Sequence, residues 1–270
     1  LAGDAVTTGG DNVYIGGEAG GASTTGTNNV AVGRAALVTQ TTVSNNTAIG
    51  SNALYLNTGT PNTAVGYAAL DANSTGNNNT AVGYNSLGGN STAAGNTAIG
   101  HQAMLINSTG AANVAVGAYA LDANTTASNN TAMGYAALGA NTTGTENVAV
   151  GQVALASNTT GNYNTALGRA SLNANTTASN NTAVGYKALD VNTTGADNTA
   201  LGYSAADAIT TGAENVAVGS NALGANITGN YNVAIGENSL GNNVASNNTA
   251  VGRRALLTNT TGSSNTAVGY

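Results

Sequence analysis

The chain has 270 residues and a formal net charge of −6, with 6% charged residues, a single Pro and no Phe, Trp or Cys. Its five Lys and Arg residues are too few for the clustered positive charge that nucleic acid or an anionic membrane surface requires, and without Cys it has neither disulfides nor thiolate metal sites. The 41% apolar content is mostly Ala, Val and Leu, which argues against a thick globular core, since such a core uses large aromatic side chains to fill its volume.

One unit repeats along the whole chain. Numbering each unit from the Asn that precedes Thr-Ala or Val-Ala (Val-Tyr in the first unit) gives sixteen units spaced by 17 residues, with two intervals of 16. The sequence predicts a single continuous repeat domain over residues 1–270. Both ends fall inside a unit without a polar cap, so we expect the chain to be part of a longer one. The unit asparagines are Asn12, Asn29, Asn46, Asn62, Asn79, Asn96, Asn113, Asn130, Asn147, Asn164, Asn181, Asn198, Asn215, Asn232, Asn248 and Asn265.

Each unit has the same internal order. Positions 1 to 5 read Asn, Thr or Val, Ala, an aliphatic residue and Gly, which predicts a short strand over positions 1 to 4 and a Gly corner. Positions 7 to 9 predict a second short stretch ending in Ala-Leu, and Asn-Thr-Thr-Gly at positions 12 to 15 predicts a polar return turn. The residues that represent these structural columns are Asn130, Ala132, Gly134, Leu138, Asn181, Ala183, Val184, Gly185 and Leu189.

The period identifies the fold class. A 17-residue unit is too short for a helical hairpin or a propeller blade, and a Gly in every turn disfavours helix. The sequence therefore predicts an all-β parallel β-solenoid of about sixteen coils, roughly 75 Å long at ~4.8 Å per coil. The Asn column predicts a ladder of side-chain amides between coils. In both 16-residue units the missing residue falls in the return segment, where deletions are tolerated.

The two faces of the strand are both small and apolar. Positions 2 and 4 point one way and the Ala of position 3 points the other way. A thin coil does not readily enclose both faces. We therefore expect the Ala column to be exposed on one chain and to be buried between parallel copies about a common axis.

The variable columns carry the charge and most of the Tyr residues. Acidic and basic residues fall only at positions 6, 7, 10 and 17, which predicts that these columns face water. Tyr recurs at position 6 and gives two interpretations. It forms either a contact strip for sugars or protein partners or a simple cover for the solvent side of the Gly corner. The candidate contact residues are Tyr67, Tyr84, Tyr135, Tyr186 and Tyr203.

No residue pattern supports catalysis, metal binding or a cofactor, so the sequence predicts a protein that is not an enzyme. The nearest acidic grouping, Asp197, Asp207 and Glu214, is interpreted as solubilising charge, and His101 is the only His and has no partner for zinc or triad chemistry. The acids lie in different columns, unlike those of calcium-binding β-rolls. The Asn residues of the Asn-Thr-Thr segments are formal N-glycosylation acceptors and are left open as modification sites, because the turn itself favours Asn and Thr. They are Asn124, Asn141, Asn158, Asn175, Asn192 and Asn259.

The strand motif resembles a known family. NTAVG and its variants NVAVG, NTAIG and NVAIG resemble the SVAIG motif of YadA-type head domains in trimeric autotransporter adhesins, over essentially the whole chain. The resemblance implies a left-handed β-roll, a homotrimer, and display on a bacterial surface with an unspecified host receptor. The longer return turn departs from the family, as does the lack of a visible neck, coiled-coil stalk or anchor. Similar repeats also resemble segments of phage tail fibres.

These observations predict a structural and adhesive segment of an extracellular trimeric fibre. We expect the chain to associate with itself as a trimer, and also end to end as a filament. We expect it to insert into no membrane. One alternative is a phage tail fibre segment. Another is an ice-binding solenoid, which would need a flat, exposed Thr face on a monomer. The Thr pairs at positions 13 and 14 are adjacent, so only one of each pair would point outward. A tailspike glycosidase would need a carboxylate pair in a groove.

Overall fold

The computed structural model describes all 270 residues. It contains no helix, and sixteen short parallel strands form a β-solenoid with one strand in each coil. The strands follow one another across the sheet in chain order. The chain forms two compact units, Leu1–Ala132 and Met133–Tyr270, and both are built from the same coil. The predicted fold class, a parallel β-solenoid of 17-residue coils, is confirmed.

Almost every strand covers positions 2 to 4 of its unit, and position 1 joins the strand only in β4 and β5. The strands are β1 Val13–Ile15, β2 Val30–Val32, β3 Thr47–Ile49, β4 Asn62–Val65, β5 Asn79–Val82, β6 Thr97–Ile99, β7 Val114–Val116, β8 Thr131–Met133, β9 Val148–Val150, β10 Thr165–Leu167, β11 Thr182–Val184, β12 Thr199–Leu201, β13 Val216–Val218, β14 Val233–Ile235, β15 Thr249–Val251 and β16 Thr266–Val268.

Neighbouring strands pair in the register that stacks each column on its own copies. In β10 and β11, for example, Ala166 lies opposite Ala183. The ladder extends past the strands at both ends, where the Gly185 N–H donates to the Leu167 carbonyl at 2.7 Å. In the 16-residue units the register of positions 2 to 4 is unchanged, so the deletion is absorbed in the return segment, as the sequence predicted.

The interior of each coil holds the Ala column. Ala166 and Ala183 at position 3 are fully buried within the single chain, as are Leu172 and Leu189 at position 9. The expectation that the Ala column is exposed and lies between subunits is therefore wrong. The return of the chain brings the position 9 side chains into the same interior as the alanines, and one chain encloses both.

The face that remains on the outside is made by positions 2 and 4, and we call it the sheet face. Its side chains are half-buried or exposed in both units, and Leu201 at position 4 exposes 47% of its surface. The face carries Thr or Val in one column and Val, Ile, Leu or Met in the other, without a charged residue. Monomeric proteins rarely expose a continuous apolar surface of this kind.

The second stretch, positions 7 to 9, forms a turn with an unusual backbone. Residues at positions 7 and 9 adopt left-handed φ angles although they are not Gly, as in Ala170 (φ 57°) and Leu172 (φ 49°). The conformation points the N–H groups of positions 7 and 9 in opposite directions along the stack. The Ala170 N–H donates to the Gln152 carbonyl of the preceding coil, and the Leu172 N–H donates to the Ala188 carbonyl of the next, both at 3.0 Å. These ladder bonds offset the cost of left-handed φ in residues with a side chain.

The first complete coil shows how strictly the interior volume is conserved. Tyr14 replaces Ala at position 3, and its hydroxyl donates to Ser23 Oγ at 2.8 Å. Gly20 occupies position 9 in place of Leu, and a Cβ on Gly20 would lie 2.4 Å from the Tyr14 ring. A Cβ on Gly3 would lie 2.7 Å from the same ring. The ring therefore fills the space that Leu side chains fill elsewhere.

Candidate functional site

The position 1 asparagines form a buried amide column that closes each coil. Asn164 Nδ2 donates to the Ala178 carbonyl at 2.8 Å, which ties the strand to the return turn of its own coil. Its Oδ1 accepts the backbone N–H of Asn181, one coil further on, at 3.0 Å. The predicted amide ladder is therefore present, and its main bond between coils runs from backbone N–H to side-chain oxygen.

A second amide column lies at position 12, inside the return segment. Asn73 Nδ2 donates to Asn57 Oδ1 at 2.6 Å and to the Gly76 carbonyl at 2.9 Å, and Asn90 repeats both bonds one coil further on. These side chains are fully buried. The sequence pattern indicated an ordinary turn residue at position 12 and did not predict this column. The available signal was that position 12 keeps Asn in most units.

The Asn-Thr-Thr acceptors belong to this second column. Asn158 Nδ2, for instance, donates to Asn141 Oδ1 at 2.9 Å and to the Gly161 carbonyl at 3.0 Å. Asn259 is partly exposed, and its Nδ2 makes the same two kinds of bond. In the folded coil the other five acceptors have no surface at which a glycan could attach, since Asn124, Asn141, Asn158, Asn175 and Asn192 are fully buried.

Four residues replace Asn at position 12: Val6, Ser23, Gln40 and Ile209. Gln40 takes the place of Asn, and both of its amide atoms are buried without a hydrogen-bond partner. Ile209 replaces Asn further along and leaves Asn192 Oδ1 buried without a donor. The same coil has Ala206 in place of Leu at position 9, so the larger Ile209 side chain fills the interior that the smaller Ala206 leaves.

We expect the double substitution Ala206→Leu with Ile209→Asn to stabilise the protein by about 1–2 kcal/mol, because it gives Asn192 Oδ1 a donor while keeping the interior filled. Ala206→Leu alone overpacks the coil, at a cost of about 1–3 kcal/mol, and Ile209→Asn alone leaves a cavity. Urea unfolding of the four proteins measures the coupling. If the changes in unfolding free energy of the two single variants summed to that of the double variant, Ala206 and Ile209 would not compensate each other's volume.

The position 6 residues form an exposed ladder of stacked planar groups. In the compact unit Leu1–Ala132, the Tyr67 and Tyr84 rings stack with centroids 5.4 Å apart, and Tyr84 stacks on His101 at 5.3 Å. In the second unit, Tyr186 stacks on Tyr203 at 5.4 Å, and the Arg169 guanidinium lies 5.6 Å from the Tyr186 centroid.

The ladder places the predicted contact residues at the surface. Tyr67, Tyr84, Tyr135 and Tyr203 are exposed and Tyr186 is half-buried. Because stacked rings cover one another's faces, Tyr84 offers solvent its edge and hydroxyl. The interior of the ladder is therefore unsuited to a sugar, which stacks on an open ring face.

The acidic residues do not assemble into a catalytic pair. Asp207 interacts with Asp190 and Lys187, and Lys187 Nζ lies 3.3 Å from Asp190 Oδ2. Glu214 instead accepts a hydrogen bond from Tyr231, which raises the pKa of that Tyr. Partial burial raises the pKa values of Asp71, Asp122 and Asp207. His, Asp and Glu side chains nowhere gather in a group of three or more that could hold a metal ion.

An ion pair extends the position 6 ladder near residue 250. Arg253 Nε donates to Glu237 Oε2 at 2.9 Å, and its guanidinium lies 5.7 Å from the Tyr270 ring centroid. The ion pair lowers the pKa of Glu237. Both partners are exposed, so the pair contributes little to stability.

The chain contains no helix long and apolar enough to cross a membrane. Comparison with models of known protein families, with curated proteins and with solved structures found no match to this chain.

Proposed function

We propose that the chain is a structural and adhesive segment of an extracellular fibre, in which parallel copies associate through the sheet face as a homotrimer. Such a fibre projects from a bacterial surface, or forms part of a phage tail, and attaches to a host surface or carbohydrate receptor. Resemblance of the strand motif to YadA-type heads supports this proposal.

The observation that carries the proposal is the sheet face. In the first unit it presents Thr63 and Thr80 beside Val65 and Val82, all partly exposed and in register from coil to coil. In the second unit Leu167 and Leu201 expose more than a third of their surface. An uncharged apolar surface that continues over many coils is characteristic of an interface.

Another copy of the same chain is the partner that fits this face best. Side chains on the face repeat once per coil, so a surface complementary to it needs the same rise. A second solenoid of this sequence has that rise by construction. Acidic and basic residues lie in other columns, so copies can approach without burying unpaired charge.

Light scattering on the purified chain tests the proposal. We expect a mass three times the 26.0 kDa of one chain. Leu167→Lys with Leu201→Lys places two cations on the sheet face and is expected to give a monomer. The matched control is Thr160→Lys with Thr194→Lys, which adds the same charge at exposed return-turn positions and keeps the trimer.

Circular dichroism of each variant shows that the coil itself remains folded. A monomeric wild-type chain would contradict the proposal. A trimer that survives the sheet-face variant but not its control would move the interface to the return turn.

Ice binding is a second candidate, because Thr recurs in one exposed column and in one half-buried column at the surface. Thr182 and Thr199 lie on the sheet face, and Thr177 and Thr194 at position 14 point outward. The position 13 hydroxyls are turned into the stack instead, as where Thr176 Oγ1 donates to the Thr193 carbonyl at 3.1 Å. A monomer that separates the freezing and melting temperatures of ice would favour this function. Loss of that separation in either Lys variant would identify the column involved.

A further inference from the structure

We propose that the chain carries a binding slot for a phenol ring, between Arg34 and Tyr67 at the level of Ser51. The slot lies in the position 6 ladder, outside the sheet face, and does not depend on the proposed fibre. Its guest is a planar ring with a hydroxyl, such as a tyrosine side chain of a partner or a soluble phenolic compound.

The slot exists because one rung of the ladder is short. Arg34, Ser51 and Tyr67 occupy position 6 in three consecutive coils. Their backbones are held in step, since the Asn52 N–H donates to the Arg34 carbonyl and the Ala68 N–H donates to the Ser51 carbonyl, both at 3.0 Å. Ser51 does not reach the level of its long neighbours. A gap two coil spacings wide, roughly 10 Å, therefore separates Arg34 from Tyr67.

Both walls of the gap are without partners on the inner side. Tyr67 exposes 51% of its surface and stacks only on Tyr84, on its far side. Arg34 is exposed, and its guanidinium makes no ion pair and no hydrogen bond. The other two Arg residues of this column are engaged, since Arg169 bonds to Gln152 and Tyr186 and Arg253 pairs with Glu237.

The compact unit Met133–Tyr270 contains the same arrangement with the gap filled. There the order is Arg169, Tyr186 and Tyr203, in which Tyr186 stacks on Tyr203 at 5.4 Å and lies under Arg169 at 5.6 Å. Arg169 Nη1 also donates to the Tyr186 hydroxyl at 3.3 Å. The first unit has the Arg and the outer Tyr, and Ser51 stands where the middle ring would be.

The filled form defines what the slot accepts. A guest ring at the level of Ser51 would stand one step from Tyr67, and the steps of this ladder are 5.4 and 5.3 Å. Those distances fall within the range of about 4.5–7 Å that favours offset stacking. The opposite face of the guest would meet the Arg34 cation. Arg34 would also donate to an oxygen on the ring, as Arg169 does, which selects a phenol over a plain phenyl ring.

Titration with N-acetyltyrosinamide, followed by NMR of the backbone amide resonances of residues 51 and 67, which every variant retains, tests the slot. We expect saturable binding to the wild-type protein, with N-acetylphenylalaninamide at least threefold weaker. Ser51→Tyr closes the slot from within and should weaken binding at least tenfold. Tyr67→Leu should have a similar effect, and Arg34→Gln should remove the preference for the hydroxyl.

Ser220→Tyr is the matched control, because it fills a short position 6 rung beside Tyr203 that has no Arg next to it. This variant should bind the probe as the wild type does. Tyr occurs naturally at position 6, so both Tyr variants are expected to fold, which circular dichroism checks. Non-saturable binding to the wild type, or equal binding by Ser51→Tyr and the wild type, would overturn the proposal.

Discussion

Gly100→Ala is expected to lower the free energy of unfolding by about 3–5 kcal/mol, because no side chain fits at the corner of the coil. Gly100 has a φ angle of 141°, a region that residues with a side chain rarely adopt. A Cβ there would lie 2.5 Å from the Gly117 carbonyl oxygen in the next coil. That contact is with backbone held in the ladder, so it cannot be relieved by a rotamer change. Urea unfolding of the variant measures the loss.

Gly88→Ala is the matched control, and it lies one coil before Gly100 in the same compact unit, Leu1–Ala132. Its Cβ would meet nothing closer than 3.4 Å, and its φ angle is not left-handed. We expect it to change stability by less than about 0.5 kcal/mol, or to stabilise slightly by restricting the unfolded chain. If both variants unfolded at the same urea concentration, the close stacking of the Gly corners would not be the reason for the Gly column.

Asn164→Ala is expected to cost about 1–3 kcal/mol, because it leaves a buried backbone donor without a partner. That donor is the Asn181 N–H, which donates to Asn164 Oδ1. The Ala178 carbonyl loses the hydrogen bond from Asn164 Nδ2 but keeps the one from Asn175 Nδ2. Water cannot replace the amide, since the position is fully buried. Thermal and urea unfolding both report the change.

Asn173→Ala removes an amide of the same size from position 10 of the same unit. Asn173 is partly exposed and its side chain makes no hydrogen bond, so we expect a change within about 0.5 kcal/mol. Equal losses from the two variants would show that the position 1 amides act only through local turn preference, and not as ties between strand and return turn.

The repeat period, the strand positions, the Gly corner and the place of the deletions could all be predicted from the sequence. Each of them depends on local geometry or on a column that tolerates one residue type. The Gly of position 5 is an example, because its requirement is visible in every unit. Stacking identical units then leaves little choice of fold class.

Which strand face lies inside could not be read from alternation alone, because both faces are small and apolar. The decision depends on where the return segment travels, and the closed coil buries Ala183 and Leu189 fully but leaves Val184 half-buried. Variation between units held a usable signal. Position 3 is almost always Ala, as expected for a closed volume, whereas position 4 varies among Val, Ile, Leu and Met, as expected for a surface. The same reasoning separates the buried Asn of position 12 from its variable neighbours.

The position 6 ladder was visible in the sequence only as a recurrence of Tyr. Stacking between Tyr67 and Tyr84 requires the rings to stand one coil apart, and that distance follows from the strand spacing. The interaction between the like charges of Asp207 and Asp190 also follows from the columns, because both residues occupy position 10 of neighbouring coils. Residues 17 apart are neighbours in this fold.

The burial of the Asn-Thr-Thr acceptors sets an order of events during synthesis. An oligosaccharide can reach Asn141 or Asn158 only before the coil closes, and a glycan attached then would occupy the place of the amide bonds that stack one coil on the next. If this chain were produced in a eukaryotic secretory pathway, glycan transfer would therefore compete with folding at each coil that contains such an acceptor. A host that lacks the transferase avoids that competition, whatever compartment the chain folds in.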